Sequence, residues 1–252
     1  MEPLEHLGHL QHCDALEREL TRFEVSLDGA DLATPVPTCP RWDVLKLVAH
    51  LGGVHRWCEA MVREVAQERL ERRSPKPEPD QLVSWFVEGG GLLVPTLRAA
   101  DPNEVMFAWG TDQHVRFWSR RQLHETAVHH FDVCNALGLE YAMEPDVASD
   151  SIDEFLDNLP KSIYFAPAVE QLKGDGEVIH LHATDADGEW LVRLTPDGFT
   201  YEHGHSKGNV AVQASISDLA LMMWGRRNPS DAQFKIFGDE TLLRFWLSNS
   251  AL

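Results

Sequence analysis

Residues 120 to 133, RRQLHETAVHHFDV, place three histidines and one glutamate within seven positions. In a regular helix, residues four apart rise ~6 Å and turn about 400°, so Glu125 and His129 project from one face and can reach a single cation. His124 and His129 are five apart and diverge by about 140°, which prevents them from sharing an ion on one helix. The spelling is H-E-x-x-x-H, with Val128 where the zinc-protease motif H-E-x-x-H needs its second histidine, so Glu125 is expected to be a ligand rather than a general base. A solvated polar face is the competing reading, since Glu and His four apart are common on exposed helices. His124 and His130 are either groups that orient such a site or polar surface.

Two ligands leave a zinc site incomplete, because a catalytic zinc takes three protein ligands and keeps a fourth position open. His50, in the mainly apolar run LVAHLGGVHRW, is the natural third ligand, since an unpaired imidazole there would be costly; His55 competes for the role. Anionic substrates and cofactors call for fixed cations, and arginine binds a carboxylate through two parallel hydrogen bonds. Arg120 and Arg121, one helical turn from Glu125, and Arg226 and Arg227, which follow MMWG, are the candidates. For the second pair the plain alternative is an arginine favoured by the dipole at a helix C-terminus.

The elements that must position these residues fall into two halves. Apolar residues at helical spacing predict helices over Leu4–Phe23, Asp43–Leu70, Gln81–Ala99 and Asp112–Leu137, the last ended by Gly138 as a C-terminal cap. His6, His9 and His12 are expected on a partly exposed face of the first, and Gly89-Gly90-Gly91 weakens the third. Four long helices with lengthy connections, one of them the Pro-rich ERRSPKPEPDQ, predict a four-helix bundle. Beyond it the period changes: EVIHLHATD, GEWLVRLT, GFTYEHG and NVAVQAS read as strands of an antiparallel sheet. SISDLALMMWGRR, capped by Ser215 or Ser217, and DETLLRFWLSNSAL read as helices around a strand FKIFG. The expected fold class is thus α plus α+β, a bundle over residues 1–147 and a smaller α+β domain over 148–252, with VASDSIDEFLDNLP as a linking helix.

The chain of 252 residues has 43% hydrophobic and 25% charged residues, with 8 Trp and 11 Phe, enough for sizeable cores. A net charge of −18 opposes binding to a polyanion, so no nucleic-acid partner is expected. The N-terminus lacks the basic start and unbroken apolar core of a signal peptide, and no run is long enough to span a bilayer. Cys13, Cys39, Cys58 and Cys134 form no C-x-x-C and read as reduced thiols in a cytoplasmic protein with no membrane partner.

CPRWDVLKLVAHLGGVHRW and FWSRRQLHETAVHHFDV together resemble the mycothiol-dependent maleylpyruvate isomerase family, whose N-terminal part is a DinB-like four-helix bundle. SISDLALMMWGRRNPSD followed by FKIFGDETLLRFWL resembles that family's C-terminal domain, which is similar to sterol carrier proteins. The resemblance implies a zinc ion, Zn(2+), held by His50, Glu125 and His129. It also implies mycothiol as a low-molecular-weight thiol cofactor, so that none of the four protein cysteines is the nucleophile. A zinc-bound thiol loses its proton at neutral pH and becomes the nucleophile. Attack on a small electrophile then gives either cis–trans isomerisation of a maleylpyruvate-like enedioic acid or S-transfer. Arg226, which matches the family's W-G-R pattern, and Arg121 are expected to assist catalysis, and Arg120 and Arg227 to bind the cofactor. Arg41, after the Cys-Pro pair, and His130 depart from the family pattern and bear on the substrate. The alternative is a non-catalytic small-molecule or lipid-binding protein with a metal-binding bundle. GHSKG at 204–208 matches the hydrolase nucleophile elbow G-x-S-x-G, but strand-like flanks and the lack of any later histidine make a turn the better reading.

Overall fold

The computed structural model describes residues 7–71 and 77–251, which divide into a helical unit, Leu7–Tyr141, and a second unit running from Ala142 to the C-terminal end. The helical unit contains α1 (His9–Ser26), α2 (Val44–Arg63), α3 (Leu82–Ala99) and α4 (Val115–Leu137). Helix α1 packs on α3 and α4, and α2 packs on the same two. Phe23, Leu47, Val48, Leu51, Phe86 and Val133 join in one buried cluster.

Local sequence sets the ends of these helices. The Asp43 carboxylate accepts from the Lys46 N–H at 2.8 Å and starts α2, and Gly138, with φ 69°, ends α4 in the left-handed region that favours glycine. Helix α2 stops at Arg63, short of the expected Leu70, where the chain turns through Val65 with φ 44°. Helix α3 runs through all three glycines, and at Gly90 tertiary packing requires the absence of a side chain. A Cβ on Gly90 would lie 2.9 Å from Leu20 Cδ1, and a Cβ on Gly52 of α2 would strike the Trp85 ring, so both helices approach their neighbours where no side chain intervenes.

The expected partly exposed histidine face of α1 is corrected. The helix begins at His9, and the Gln11 side chain accepts from the Gly8 N–H at 2.7 Å; Leu4 and His6 lie outside the described residues. His12 is buried, and the half-buried His9 bonds Ser119 Oγ (2.9 Å) and the Leu97 carbonyl (2.8 Å), whereas Leu10 is 60% exposed. The inward face of α1 is partly polar because it meets α4, a helix buried on nearly every side that carries Arg121, Gln122, His124, Thr126, His129, His130 and Asp132 inward.

The second unit holds α5 (Pro145–Asn158), β1 (Val178–Ala183), β2 (Glu189–Thr195), β3 (Gly198–His203), β4 (Val210–Ala214), α6 (Ile216–Met223), β5 (Lys235–Gly238) and α7 (Glu240–Asn249). Helix α5, expected as a linker, packs on α6 within this unit, and Trp190 Nε1–H donates to its Asp153 at 2.7 Å. Ser215 caps α6 by accepting from the Asp218 N–H at 3.1 Å. The sheet order is β3-β2-β1-β4-β5. Three of its interfaces are antiparallel as expected; the fourth, β1 against β4, is parallel. After β3 the chain does not turn back as a hairpin. The short segment 204–209 crosses to the free edge of β1, where the Asn209 N–H donates to the Val178 carbonyl at 2.8 Å.

Candidate metal centre

The facing surfaces of α2 and α4 carry the ionisable groups singled out in the sequence. His50 Nε2 lies 3.4 Å and His129 Nε2 3.6 Å from Glu125 Oε1, and one donor atom from each residue falls within 4.8 Å of the others. Tetrahedral zinc with bonds of ~2.0–2.1 Å sets its donor atoms ~3.3 Å apart, so these separations fit a single ion with little movement. The three side chains retain 26%, 10% and 26% exposure for His50, His129 and Glu125, so none is fully sealed from solvent.

Each donor is oriented by a further contact. His129 Nδ1 lies 2.9 Å from Asp132 Oδ2, so its Nδ1–H points to that carboxylate and Nε2 is turned toward the cluster. Asp132 is fully buried and is held by the loop between α1 and α2, where Thr38 Oγ1–H donates to its Oδ1 at 2.6 Å and Cys39 Sγ lies 3.7 Å from its Oδ2. That loop is closed by the Val36 N–H donating to the Trp42 carbonyl at 3.0 Å, and it sets the Trp42 ring 4.8 Å from His50 and 5.9 Å from His129. Arg121 donates to Glu125 Oε2 at 3.2 Å, one helical turn away, leaving Oε1 for the histidines.

The electrostatics follow. Burial pushes the Glu125 carboxyl up, but hydrogen bonds from His129 and His50 and the charges of His129 and Arg121 outweigh it and hold the group well below the usual carboxylate range. Burial pushes His129 down, and Asp132 with Glu125 overcomes this and raises it. The competitor His55 is fully buried, with burial driving it to about 3, and its Nε2–H is committed to Thr126 Oγ1 at 3.0 Å. His50 is the histidine of α2 that meets Glu125 and His129.

The remaining histidines of α4 face α1. The His124 ring lies edge-on to His12 with centroids 6.4 Å apart, while His130 bonds Glu19 Oε1 through Nδ1 (2.7 Å) and Ser26 Oγ through Nε2 (2.9 Å) and stacks on Phe23. His130 thus ties α4 to α1, and Arg41, the other departure from the family pattern, is exposed. Among the arginines, Arg121 joins the cluster and Arg120 is half-buried beside it in sequence. Arg226 and Arg227 belong to the second unit, where Arg226 Nη1 donates to the Trp224 carbonyl (2.8 Å) and Arg227 Nε sits 3.3 Å from Asp218 Oδ1. Sequence reasoning missed Asp132 and Trp42. The His-x-x-Asp spacing of 129 and 132 was the available sign of the first.

Residues 13–134 match the mycothiol maleylpyruvate isomerase N-terminal domain, and residues 146–245 match the MDMPI C-terminal domain. Among solved structures, the chain is similar to the mycothiol-dependent maleylpyruvate isomerase at TM-score 0.61 and 13% identity, covering 94% of this chain and 95% of that one. A histidine-to-alanine variant of that isomerase gives TM-score 0.59 and 14% identity, with 90% and 93% covered. No curated protein matches the sequence. With both of its domains matched in order, the chain belongs to the mycothiol-dependent maleylpyruvate isomerase family.

Proposed function

We propose that the helical unit is the catalytic part of a zinc-dependent enzyme that activates the thiol of mycothiol for attack on a small electrophile. Cis–trans isomerisation of a maleylpyruvate-like enedioic acid is the favoured reaction, and S-transfer is the variant the same chemistry allows. The observation that carries this reading is the convergence of His50 Nε2, Glu125 Oε1 and His129 Nε2, two imidazole nitrogens and one carboxylate oxygen on side chains that keep partial exposure. Zinc in such a site supplies Lewis acidity that brings a thiol's pKa into the neutral range without redox side reactions.

The chain's own residues prepare that site. Asp132 fixes the His129 tautomer, Arg121 restrains Glu125, and Trp42 covers the two imidazoles on one side. In this reading the nucleophile is an external thiol, and two of the protein's own thiols are poorly suited to the role: burial pushes Cys13 up to about 11 and Cys58 well above its ordinary value. Its four free cysteines suit a reducing, cytoplasmic setting. Arg226 is assigned to the substrate carboxylate and Arg120 with Arg227 to the cofactor on the chemistry of the guanidinium fork, whereas the contact of Arg121 with Glu125 makes it a positioning residue. Two measurements test the proposal: zinc content of untagged protein, and mycothiol-dependent isomerisation of maleylpyruvate by wild type, His50→Ala and Glu125→Ala. Turnover that needs both zinc and the thiol and falls at least about 100-fold in each variant is expected. Equal turnover by wild type and both variants would remove the site from the chemistry.

A further inference from the structure

The second unit contains another convergence of metal-ligating side chains, made entirely by its sheet. The two-residue period of β1 sends His180 and His182 to one face, opposite the face that buries Ile179, Leu181 and Ala183. The β1–β2 register then sets Glu189 directly across from His182. The crossover 204–209 passes over this same face, with the Gly204 N–H donating to the Glu189 carbonyl at 3.2 Å. A Cβ on Gly208 would lie 2.8 Å from the Val178 carbonyl oxygen and 3.2 Å from His180 Cβ, so only glycine lets the crossover come this close. The result delivers His205 onto Glu189. GHSKG therefore has a structural explanation: its glycines shape a crossover, and its histidine joins the cluster.

The four side chains are in contact. Glu189 Oε2 lies 2.7 Å from His180 Nε2 and 2.6 Å from His205 Nδ1, and Glu189 Oε1 lies 3.1 Å from His182 Nδ1. The three imidazoles stand edge-on to one another with centroids 5.3, 5.9 and 6.0 Å apart, and one donor atom from each of the four residues falls within 4.8 Å of the rest. His182 Nδ1 is buried and has no hydrogen-bond partner of good geometry, so its contact with Glu189 is one of proximity.

We propose that His180, His182, Glu189 and His205 form a second divalent-cation site whose ion is Zn2+. Three imidazoles and one carboxylate are a borderline donor set that favours zinc and its transition-metal neighbours over the oxygen-seeking Mg2+ and Ca2+. His180 and His205 now meet Glu189 at hydrogen-bond distance; a cation takes the place of those contacts and spreads the donors to the ~3.3 Å of a tetrahedral shell. Four protein ligands fill that shell, so the ion is structural and pins the 204–209 crossover to β1 and β2. His205, with a side chain 75% exposed, is the ligand through which the ion enters from solvent.

The test uses the full, untagged chain, stripped with a chelator and dialysed against Zn2+ alone. In a His50→Ala background, which removes the cluster on α2 and α4 from the count, elemental analysis is expected to give one zinc equivalent per chain, and zinc is expected to raise Tm. Adding His205→Ala is expected to abolish both the bound equivalent and the zinc-induced rise in Tm. Because His205 is exposed, the metal-free Tm of the two proteins is expected to agree, which separates loss of a ligand from loss of the fold. Zinc content and Tm response that are the same with and without His205→Ala, or no bound zinc in the His50→Ala protein, would overturn the assignment. Failure of the bundle site reads differently, as identical zinc content in wild type and His50→Ala.

Discussion

Asp132 is not among the proposed ligands of the ion, yet its contact with His129 decides how that ring presents itself. Its two oxygens have separate tasks: Oδ1 accepts from Thr38 Oγ1 at 2.6 Å and Oδ2 accepts from His129 Nδ1 at 2.9 Å. In Asp132→Asn only one oxygen remains. If it keeps Thr38, the new amide N–H faces His129 Nδ1 and requires that nitrogen to be the acceptor. The imidazole proton then moves to Nε2, the atom directed at Glu125. If the amide turns the other way, His129 keeps its tautomer but the Thr38 hydroxyl loses its acceptor, at a cost of ~1–3 kcal/mol. Loss of such an orienting carboxylate weakens zinc binding about 10- to 100-fold, which is ~1.4–2.7 kcal/mol. The assay is competition with a chromophoric zinc chelator, run in a His205→Ala background so that only the cluster of α2 and α4 is read. The dissociation constant is expected to rise at least about tenfold in Asp132→Asn. A constant unchanged within about twofold, with unchanged Tm of the metal-free protein, would show that Asp132 neither fixes the tautomer nor supports the loop.

Three further outcomes follow from the packing and the charges. Gly53→Ala, where a Cβ meets nothing within 4 Å, should stabilise α2 by ~0.5–1 kcal/mol in urea denaturation, whereas Gly52→Ala, driven into Trp85, should destabilise it by ~1–3 kcal/mol. Leu47→Ala, fully buried in the bundle core, should cost ~2–4 kcal/mol by the same measurement. The hydrogen bond and charge of Asp153, 2.9 Å from His203 Nε2, outweigh burial and raise the His203 pKa above its ordinary value. A base raised on folding contributes stability that is present below its unfolded pKa and lost as pH rises through the folded pKa. Asp153→Asn should therefore lose more stability at acidic pH than at alkaline pH, and a pH-independent difference would contradict this.

Much of the architecture was legible because the relevant information is local. Helical period set four helices, Asp43, Ser215 and Gly138 acted at the ends where their side chains or backbone freedom are needed, and the four-residue spacing of Glu125 and His129 put them on one face. The same spacing argument separated His124 from His129, and the two do point to different helices, α1 and α2.

What lay outside the sequence depended on which surfaces meet. Nothing in the spelling of α1 said that His12 and Glu19 face inward, because that follows from the polar groups of α4 across the interface, where Glu19 accepts from His130 and Tyr141. Asp132 became an orienting group only when the α1–α2 loop brought Thr38 against it, about 94 positions away in the chain. The glycine run weakens the helical pattern of α3, and the reason for Gly90 lies in Leu20 of α1, which occupies the space of its side chain. In the second unit, alternation marked His180 and His182 as neighbours on one face, but the arrival of His205 is a consequence of the crossover that makes β4 parallel to β1. Periodicity fixes the direction in which a side chain points relative to its own element. Partners far apart in sequence are chosen by packing and chain crossings, which only the tertiary structure decides.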